Sequence, residues 1–341
     1  MKRIGQLFGI LLVLFVFLGA VAAWWVLRPL TLASPTVDIS IAPKTTVRGI
    51  AQVVADSGVD VEPVLLYGFL RVSGQSRKLR AGSYEISQGE SVLDLLRKLS
   101  RGEESLKAVG LIDGWTFKQF RAALAKAPNL NHDSQELSDA ELMVRLGKPG
   151  AAPEGRFFPD TYTYGKGASE LRVMQRALNA MDKQLAAAWA QRDTSIILKT
   201  PDEALILASI VEKETGKESD RGMVSSVFHN RLRINMPLQT DPTVIYGMGD
   251  AFDGNLRRVD LQSDHPWNTY TRKGLPPTPI AMPGRNALRA TMHPDTSKAL
   301  YFVARGDGSS AFSETLDAHN AAVNRYQRGG VSQPSSGAQA K

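Results

Sequence analysis

The stretch "TPDEALILASIVEKETG", residues 200–216, begins with a helix cap and ends with two glutamates closing an apolar run. Thr200 is a good N-cap and Pro201 suits a first helical turn, so a helix is predicted from Pro201 onward. At about 100° per residue, with Leu207 set to zero, Ile210 falls near about −60°, Val211 near about +40° and Glu214 near about −20°. Glu214 therefore extends the apolar stripe. Glu212, at about 140° beside Ala208 and Ser209, points largely away from it, so the two carboxyl groups do not share one bond. A carboxyl group held against aliphatic side chains loses hydration when it ionises; its pKa rises toward neutrality, where it can deliver a proton. The same position also suits a glutamate that reaches past the stripe to a cation or to solvent, and the helical wheel leaves both readings open. Glu212 reads as a surface residue or an ion-pair partner, and at most as a support for its neighbour.

Downstream come "VFHNRLRINMPLQTDPTVIYGMG" (227–249) and "DHPWNTYTRKGLPPTPIAMPGRNALRATMHP" (264–294). They bring Gln239, Thr240, Asp241, Asn268, Thr269 and Tyr270, whose amides, hydroxyls and rings suit sugar binding by hydrogen bonding and stacking. Thr240, Asp241 and Pro242 equally make a turn start, which leaves Asp241 a purely structural reading. Upstream, "EGRFFPDTYTY" places Glu154 and Asp160 where they border a cleft or anchor a turn. Leu171, Met174, Ala177, Leu178, Met181 and Leu185 recur at helical spacing and read as core. This working part, rich in loops, begins near Leu106 and runs to about residue 327. The last stretch, residues 328–341, has no apolar period and reads as a disordered tail.

Before it lies a smaller domain, residues 37–105. "VDISIA" alternates as a half-buried strand, and "TTVRGIAQVVADSGV" reads as a helix with Thr45 or Thr46 as cap and Gly58 as stop. "PVLLYGFLRVSG" is a second helix; a strand through Tyr84 and Ile86 and a helix from Ser91 to Gly102 follow. Residues 31–36 read as a link. The order strand, helices, strand, helix resembles LysM-like domains beside cell-wall enzymes; a rigid spacer is the plainer reading.

The N-terminus is apolar. From Leu7 to Leu27 no charged residue occurs, and Trp24 and Trp25 close the run. About 20 apolar residues span ~30 Å of hydrocarbon, and tryptophans suit its boundary. Lys2 and Arg3 precede the run and, after Arg28, no basic residue appears until Lys44. The positive-inside rule therefore predicts residues 1–30 as a cytoplasmic tip and single-pass anchor in the inner membrane, with the bulk of the chain periplasmic. A cleaved signal peptide, suggested by Ala20, Val21 and Ala22, would have a shorter apolar core of about 7–15 residues.

Composition narrows the chemistry. The chain has 341 residues and no cysteine, which excludes disulfides, thiolate metal sites, cysteine nucleophiles and lipidation of a cysteine. Its 41 lysines and arginines exceed its 34 acidic residues without forming a run, which suits an anionic polymer or surface; no nucleic acid is expected. The histidines, His132, His229, His265, His293 and His319, show no metal-ligand spacing, so neither metal nor cofactor is expected. Ser209, Ser225 and Ser226 lack the G-x-S-x-G elbow of a serine hydrolase.

"SIVEKET", "NRL", "LQTDPTVIYG", "NTYT", "GLPPTPIAMPG" and "YFVA", in that order, resemble the YceG/MltG family of endolytic murein transglycosylases. The resemblance covers nearly the whole chain. It implies an α+β fold and a lyase that cuts the β-1,4 bond between N-acetylmuramic acid and N-acetylglucosamine inside glycan strands, leaving 1,6-anhydro ends and limiting strand elongation. The family's catalytic glutamate falls on Glu214, with Gln239, Thr240, Asp241, Asn268 and Tyr270 expected on the substrate and Glu212 and Glu154 as candidate supports. Peptidoglycan strands, the cytoplasmic membrane and peptidoglycan synthases are the expected partners. A hydrolase using Asp241 as second carboxylate, and an anchored, non-enzymatic glycan-binding scaffold of the synthesis machinery, are the alternatives.

Overall fold

The computed structural model describes residues 2–328, with side chains from residue 9; the tail expected beyond Arg328 lies outside the described residues. The fold is mixed α+β and divides into two compact units: Met1–Ala108 with Pro128–Asn131 and Thr163–Ala168, and Val109–Ala127 with His132–Tyr162 and Ser169–Lys341.

The first unit opens with α1 (Lys2–Leu27). Its Gly9–Leu27 portion has mean hydropathy 2.7 and is unburied, as a candidate membrane span would be. Then come β1 (Thr31–Leu32), β2 (Thr36–Ile41), α2 (Val47–Asp56), β3 (Val59–Asp60), α3 (Pro63–Val72), β4 (Gly82–Ser87) and α4 (Val92–Arg101). The expected order holds, with two additions, the short strands β1 and β3. β1 lies in the stretch read as a link and pairs antiparallel with β3, Thr31 opposite Asp60. β2 and β4 pair antiparallel from Thr36 opposite Ser87 to Ile41 opposite Gly82. Their alternation turns Val37, Ile39, Ile41, Tyr84 and Ile86 inward, against Ile50, Val54, Leu66, Leu70, Leu95 and Leu99 of the helices. Thr46 caps α2 by accepting from the Gly49 N–H at 3.1 Å. Ser91 and Asp94 form a reciprocal capping box on α4, and Gly102 ends that helix in the left-handed conformation.

The chain passes between the units within β5 (Lys107–Gly110) and β6 (Thr161–Tyr164), and again on either side of Pro128–Asn131 and after Ala168. The second unit carries α5 (Phe117–Ala125), α6 (Asp139–Arg145), α7 (Glu170–Ala190), α8 (Pro201–Glu214), α9 (Glu218–Arg233), α10 (Asp241–Met248), α11 (Arg258–Gln262) and α12 (Arg285–Met292). The strands β7 (Tyr301–Ala304) and β8 (Ser310–Ser313) form an antiparallel hairpin, and α13 (Leu316–Tyr326) packs on it. α8 is the hub, touching α7, α9, α10 and α12. Leu205, Leu207, Ala208, Ile210 and Val211 are all buried in a core shared with Leu185, Val224, Phe228, Leu288 and Met292. A helix apolar around most of its circumference belongs in the middle of a bundle, which is where this one sits.

Candidate active site

α8 starts as its sequence demands: the Thr200 side chain accepts from the Glu203 N–H at 3.1 Å, and Pro201 fills the first turn. It stops at Glu214, because Thr215 leaves the helix in extended conformation. The last residue of a helix lies at the negative end of its dipole, where a carboxylate is disfavoured. Burial is the main cause that pushes the Glu214 carboxyl up to about 7, and the Asp241 carboxylate adds to the rise; the Thr240 hydroxyl, which donates to Oε1, and the Arg231 cation work against it.

Thr240 is the N-cap of α10, yet its side chain caps nothing in its own helix. A threonine there usually bonds to its helix's N–H groups; this one spends its hydroxyl on Glu214 instead. A brace of threonines holds it in place. The Thr240 N–H donates to Thr269 Oγ1 at 3.1 Å, the Gln239 N–H donates to Thr269 O at 3.1 Å, and the Thr243 and Thr269 hydroxyls meet at 2.8 Å. Gln239 holds the left-handed conformation at φ 49°, costly for a residue with a Cβ, and it does so at the cavity wall.

That cavity, about 380 Å³, is lined by Glu214, Arg231, Gln239, Asp241, Tyr270 and His319, among others. Arg231 is 7% exposed and tied down on three backbone carbonyls, with Nε to Leu300 O at 2.7 Å and Nη1 to Leu238 O at 2.7 Å and Pro237 O at 3.3 Å. The Tyr270 hydroxyl donates to Asp241 Oδ1 at 2.5 Å; burial, with that carboxylate beside it, keeps the phenol protonated. The cavity thus unites a protonatable carboxyl, a fixed cation, an amide and a phenol.

Other residues expected at the site behave differently. Asn268, read as a substrate contact, is 0% exposed. Its Nδ2 donates to Leu261 O at 3.1 Å and Ser263 O at 2.6 Å, and its Oδ1 accepts from the Tyr270 N–H at 2.8 Å. An amide between aromatic residues here braces the loop that presents Tyr270. Thr240, 2% exposed, likewise reaches Glu214 rather than open space. Glu212 is an ion-pair partner: Oε1 accepts from Arg221 Nη2 at 3.3 Å, while Oε2 accepts the Gly284 N–H at 2.9 Å at the start of α12. Its side chain is buried because α8 has no broad solvent face, which a wheel drawn for one helix does not reveal. Asp160 anchors a turn, accepting the Thr161 N–H at 2.7 Å.

Glu154 borders a second, larger cavity of about 1100 Å³, with Phe117, Lys213, Tyr246, Phe252 and Trp267. It is 6% exposed, and both its oxygens accept from the Phe117 N–H, at 3.0 and 3.1 Å, where α5 begins. Tyr246 donates to it as well; burial nonetheless pushes it up to about 7. Gly155 keeps the left-handed conformation, and a Cβ there would stand 2.4 Å from Pro279 Cβ, so the backbone is pressed on the proline loop. Sequence reasoning missed Arg231 and His319 as cavity residues. The signal was faint: "NRL" stands on the next helix, past the break at Thr215, and a lone histidine in α13 has no spacing to mark it. Among the described residues no group of His, Asp and Glu side chains is placed to hold a metal ion.

Comparison with known proteins gives three findings. The profile of the YceG-like family matches residues 39–325. The "Endolytic murein transglycosylase" of Bacillus subtilis (strain 168) is 30% identical over 312 residues, covering 85% of this chain and 85% of that protein, and the protein of the same name from Streptococcus pneumoniae D39 is 28% identical over 301 residues, covering 79% of this chain and 54% of that one. A crystal structure of a yceG-like protein from Listeria monocytogenes superposes with a TM-score of 0.52 at 28% identity, covering 84% of this chain and 98% of that one.

Proposed function

The chain belongs to the YceG-like family, and from that premise we propose that it cuts peptidoglycan glycan strands internally, as an endolytic murein transglycosylase, with Glu214 as the reacting carboxyl group. The enzyme is a lyase. The observation that carries the site assignment is a buried carboxyl group, pushed up to about 7, bordering a cavity whose walls also carry a cation, an amide, a phenol and an imidazole. Glu214 gives its proton to the glycosidic oxygen as the bond from that oxygen to the muramyl C1 breaks. The muramyl C6 oxygen closes on C1, and its proton passes to the Glu214 carboxylate. No water is consumed, the product carries a 1,6-anhydro ring, and the carboxyl group ends as it began. Arg231 steadies the carboxylate between the two transfers, and Thr240 keeps its oxygen aimed. Gln239 and Tyr270 hold the sugars, and Asp241 holds Tyr270. Beyond the cut, the aromatic walls of the larger cavity receive the continuing strand.

In the same reading residues 37–105 form a LysM-like module that keeps the enzyme on glycan, and α1 anchors it in the inner membrane with the units on the periplasmic side, beside a peptidoglycan synthase. Internal cuts there limit strand elongation. The antiparallel β2 and β4 enclosing two helices support the module assignment. The decisive experiment is mass spectrometry of sugar ends released from purified peptidoglycan by the full chain in detergent. Ends lighter by one water than reducing ends are expected. Reducing ends would make Asp241 the second carboxylate of a hydrolase, and no release at all would favour a scaffold.

A further inference from the structure

His319 lies far from the glutamate helix in sequence, yet it lines the Glu214 cavity from α13. Its ring stacks on Tyr301, with centroids 5.2 Å apart and planes 24° apart, and the Arg231 guanidinium stands 5.3 Å from the Tyr301 ring centre. The imidazole is thus packed against the β7–β8 hairpin. Its two nitrogens differ. Nδ1 is buried without a hydrogen-bond partner, while Nε2 is not buried in that way and has no protein partner among the described residues. An orphaned buried N–H is costlier than an orphaned lone pair, so the proton of the neutral ring belongs on Nε2. Burial and the Arg231 cation both lower its affinity for a second proton, which favours the neutral form. The charged and titratable groups lining the same cavity are Glu214 on α8, Arg231 on α9, Asp241 on α10, Tyr270 on its loop and Tyr301 on β7.

We propose that His319 is a substrate-contacting residue whose Nε2–H donates a hydrogen bond to an oxygen of a sugar bound beside Glu214. This rests on the glycan-cleaving reading of the cavity. The ring serves as a fixed donor and undergoes no proton transfer. A carbonyl of an acetamido group and a ring hydroxyl offer the same acceptor chemistry, and the test separates them.

Three variants of the full chain are compared on purified peptidoglycan. His319→Phe keeps the stack on Tyr301 and lacks the donor; His319→Gln keeps a donor and loses part of the stack. Loss of one substrate hydrogen bond predicts a fall of about ten-fold in kcat/KM for His319→Phe, with an unfolding midpoint close to that of the parent and partial recovery in His319→Gln. On N-deacetylated glycan the parent drops to the level of His319→Phe if the acceptor is the acetamido carbonyl; the penalties multiply if it is a hydroxyl. The proposal is overturned if His319→Phe cleaves within two-fold of the parent. It is overturned equally if both variants lose activity only in proportion to lost folded protein. Glu214→Gln, run alongside, separates the premises: a cleaving Glu214→Gln removes the glycan-cleaving role of the cavity, while an inactive Glu214→Gln with an unaffected His319→Phe removes only the histidine.

Discussion

Glu154 and Glu214 lie in the same unit, are both withdrawn from water and are both pushed up to about 7, yet their surroundings differ. Glu154 is the more fully hydrogen-bonded of the two. Its two oxygens share the Phe117 N–H at a helix N-terminus, the end that favours negative charge, and Tyr246 adds a third bond. Glu214 sits at a helix C-terminus, which disfavours charge, with a single hydroxyl bond, although each of the two glutamates borders a cavity. A raised pKa beside a cavity therefore does not distinguish a working acid from a structural one; unspent hydrogen-bonding capacity does.

The largest effect expected from this contrast is on cleavage. Glu214→Gln should lower release of glycan fragments by about 10²–10⁴-fold, the usual share of a general acid, with the fold intact by circular dichroism. Glu154→Gln should stay within about ten-fold of the parent, since it touches no reacting atom in this reading. If the two variants exchange these outcomes, the assignment falls.

Stability should separate the pair in the opposite sense. The amide of Glu154→Gln presents an NH₂ where the α5 N-terminus needs an acceptor, so a loss of about 1–3 kcal/mol is expected from denaturant unfolding, against little for Glu214→Gln.

The pH dependence sharpens this further. Both groups bind their proton more tightly folded than unfolded, so each adds stability that is complete below the ordinary value of 4.5 and is lost as pH rises through about 7. The total is on the order of 3 kcal/mol per group, and the unfolding midpoint should fall over that window, less so in Glu214→Gln. Over the same range kcat/KM should decline above about pH 7 as Glu214 loses its proton. A flat profile from pH 5 to 9 would contradict it.

The smallest change expected is from Thr240→Val. Removing a hydrogen bond that favours the carboxylate raises the Glu214 pKa further, moving the alkaline limb of activity to higher pH. The rate at its optimum should fall by about three- to ten-fold, because the carboxyl group is less well aimed.

Much of the molecule was legible beforehand in particular residues. Thr46 and Thr200 cap where expected, a helix runs between Ser91 and Gly102 as read, and the alternation in "VDISIA" is a strand. β1 was not legible, because a strand as short as Thr31–Leu32 has no period and exists only through its pairing with β3. At the site, the wheel singled out Glu214 from neighbours within two turns. Asn268 misled, because a buried amide that serves carbonyls at the end of α11 has the same one-letter signature as one that serves a sugar. Arg231 and His319 escaped, since what makes them cavity residues is an approach across α9, β7 and α13.

By itself, then, the sequence determined what repeats locally: the apolar N-terminal helix, the caps, the stripe that takes Glu214 inward and the family to which the chain belongs. Only the tertiary structure decided which inward-facing carboxyl groups other elements hold by several hydrogen bonds and which keep free acceptor capacity. Helix periodicity is set by neighbours three and four residues away and can be read along the chain. Desolvation and hydrogen-bond saturation are set by groups from other elements, whose meeting no local pattern records.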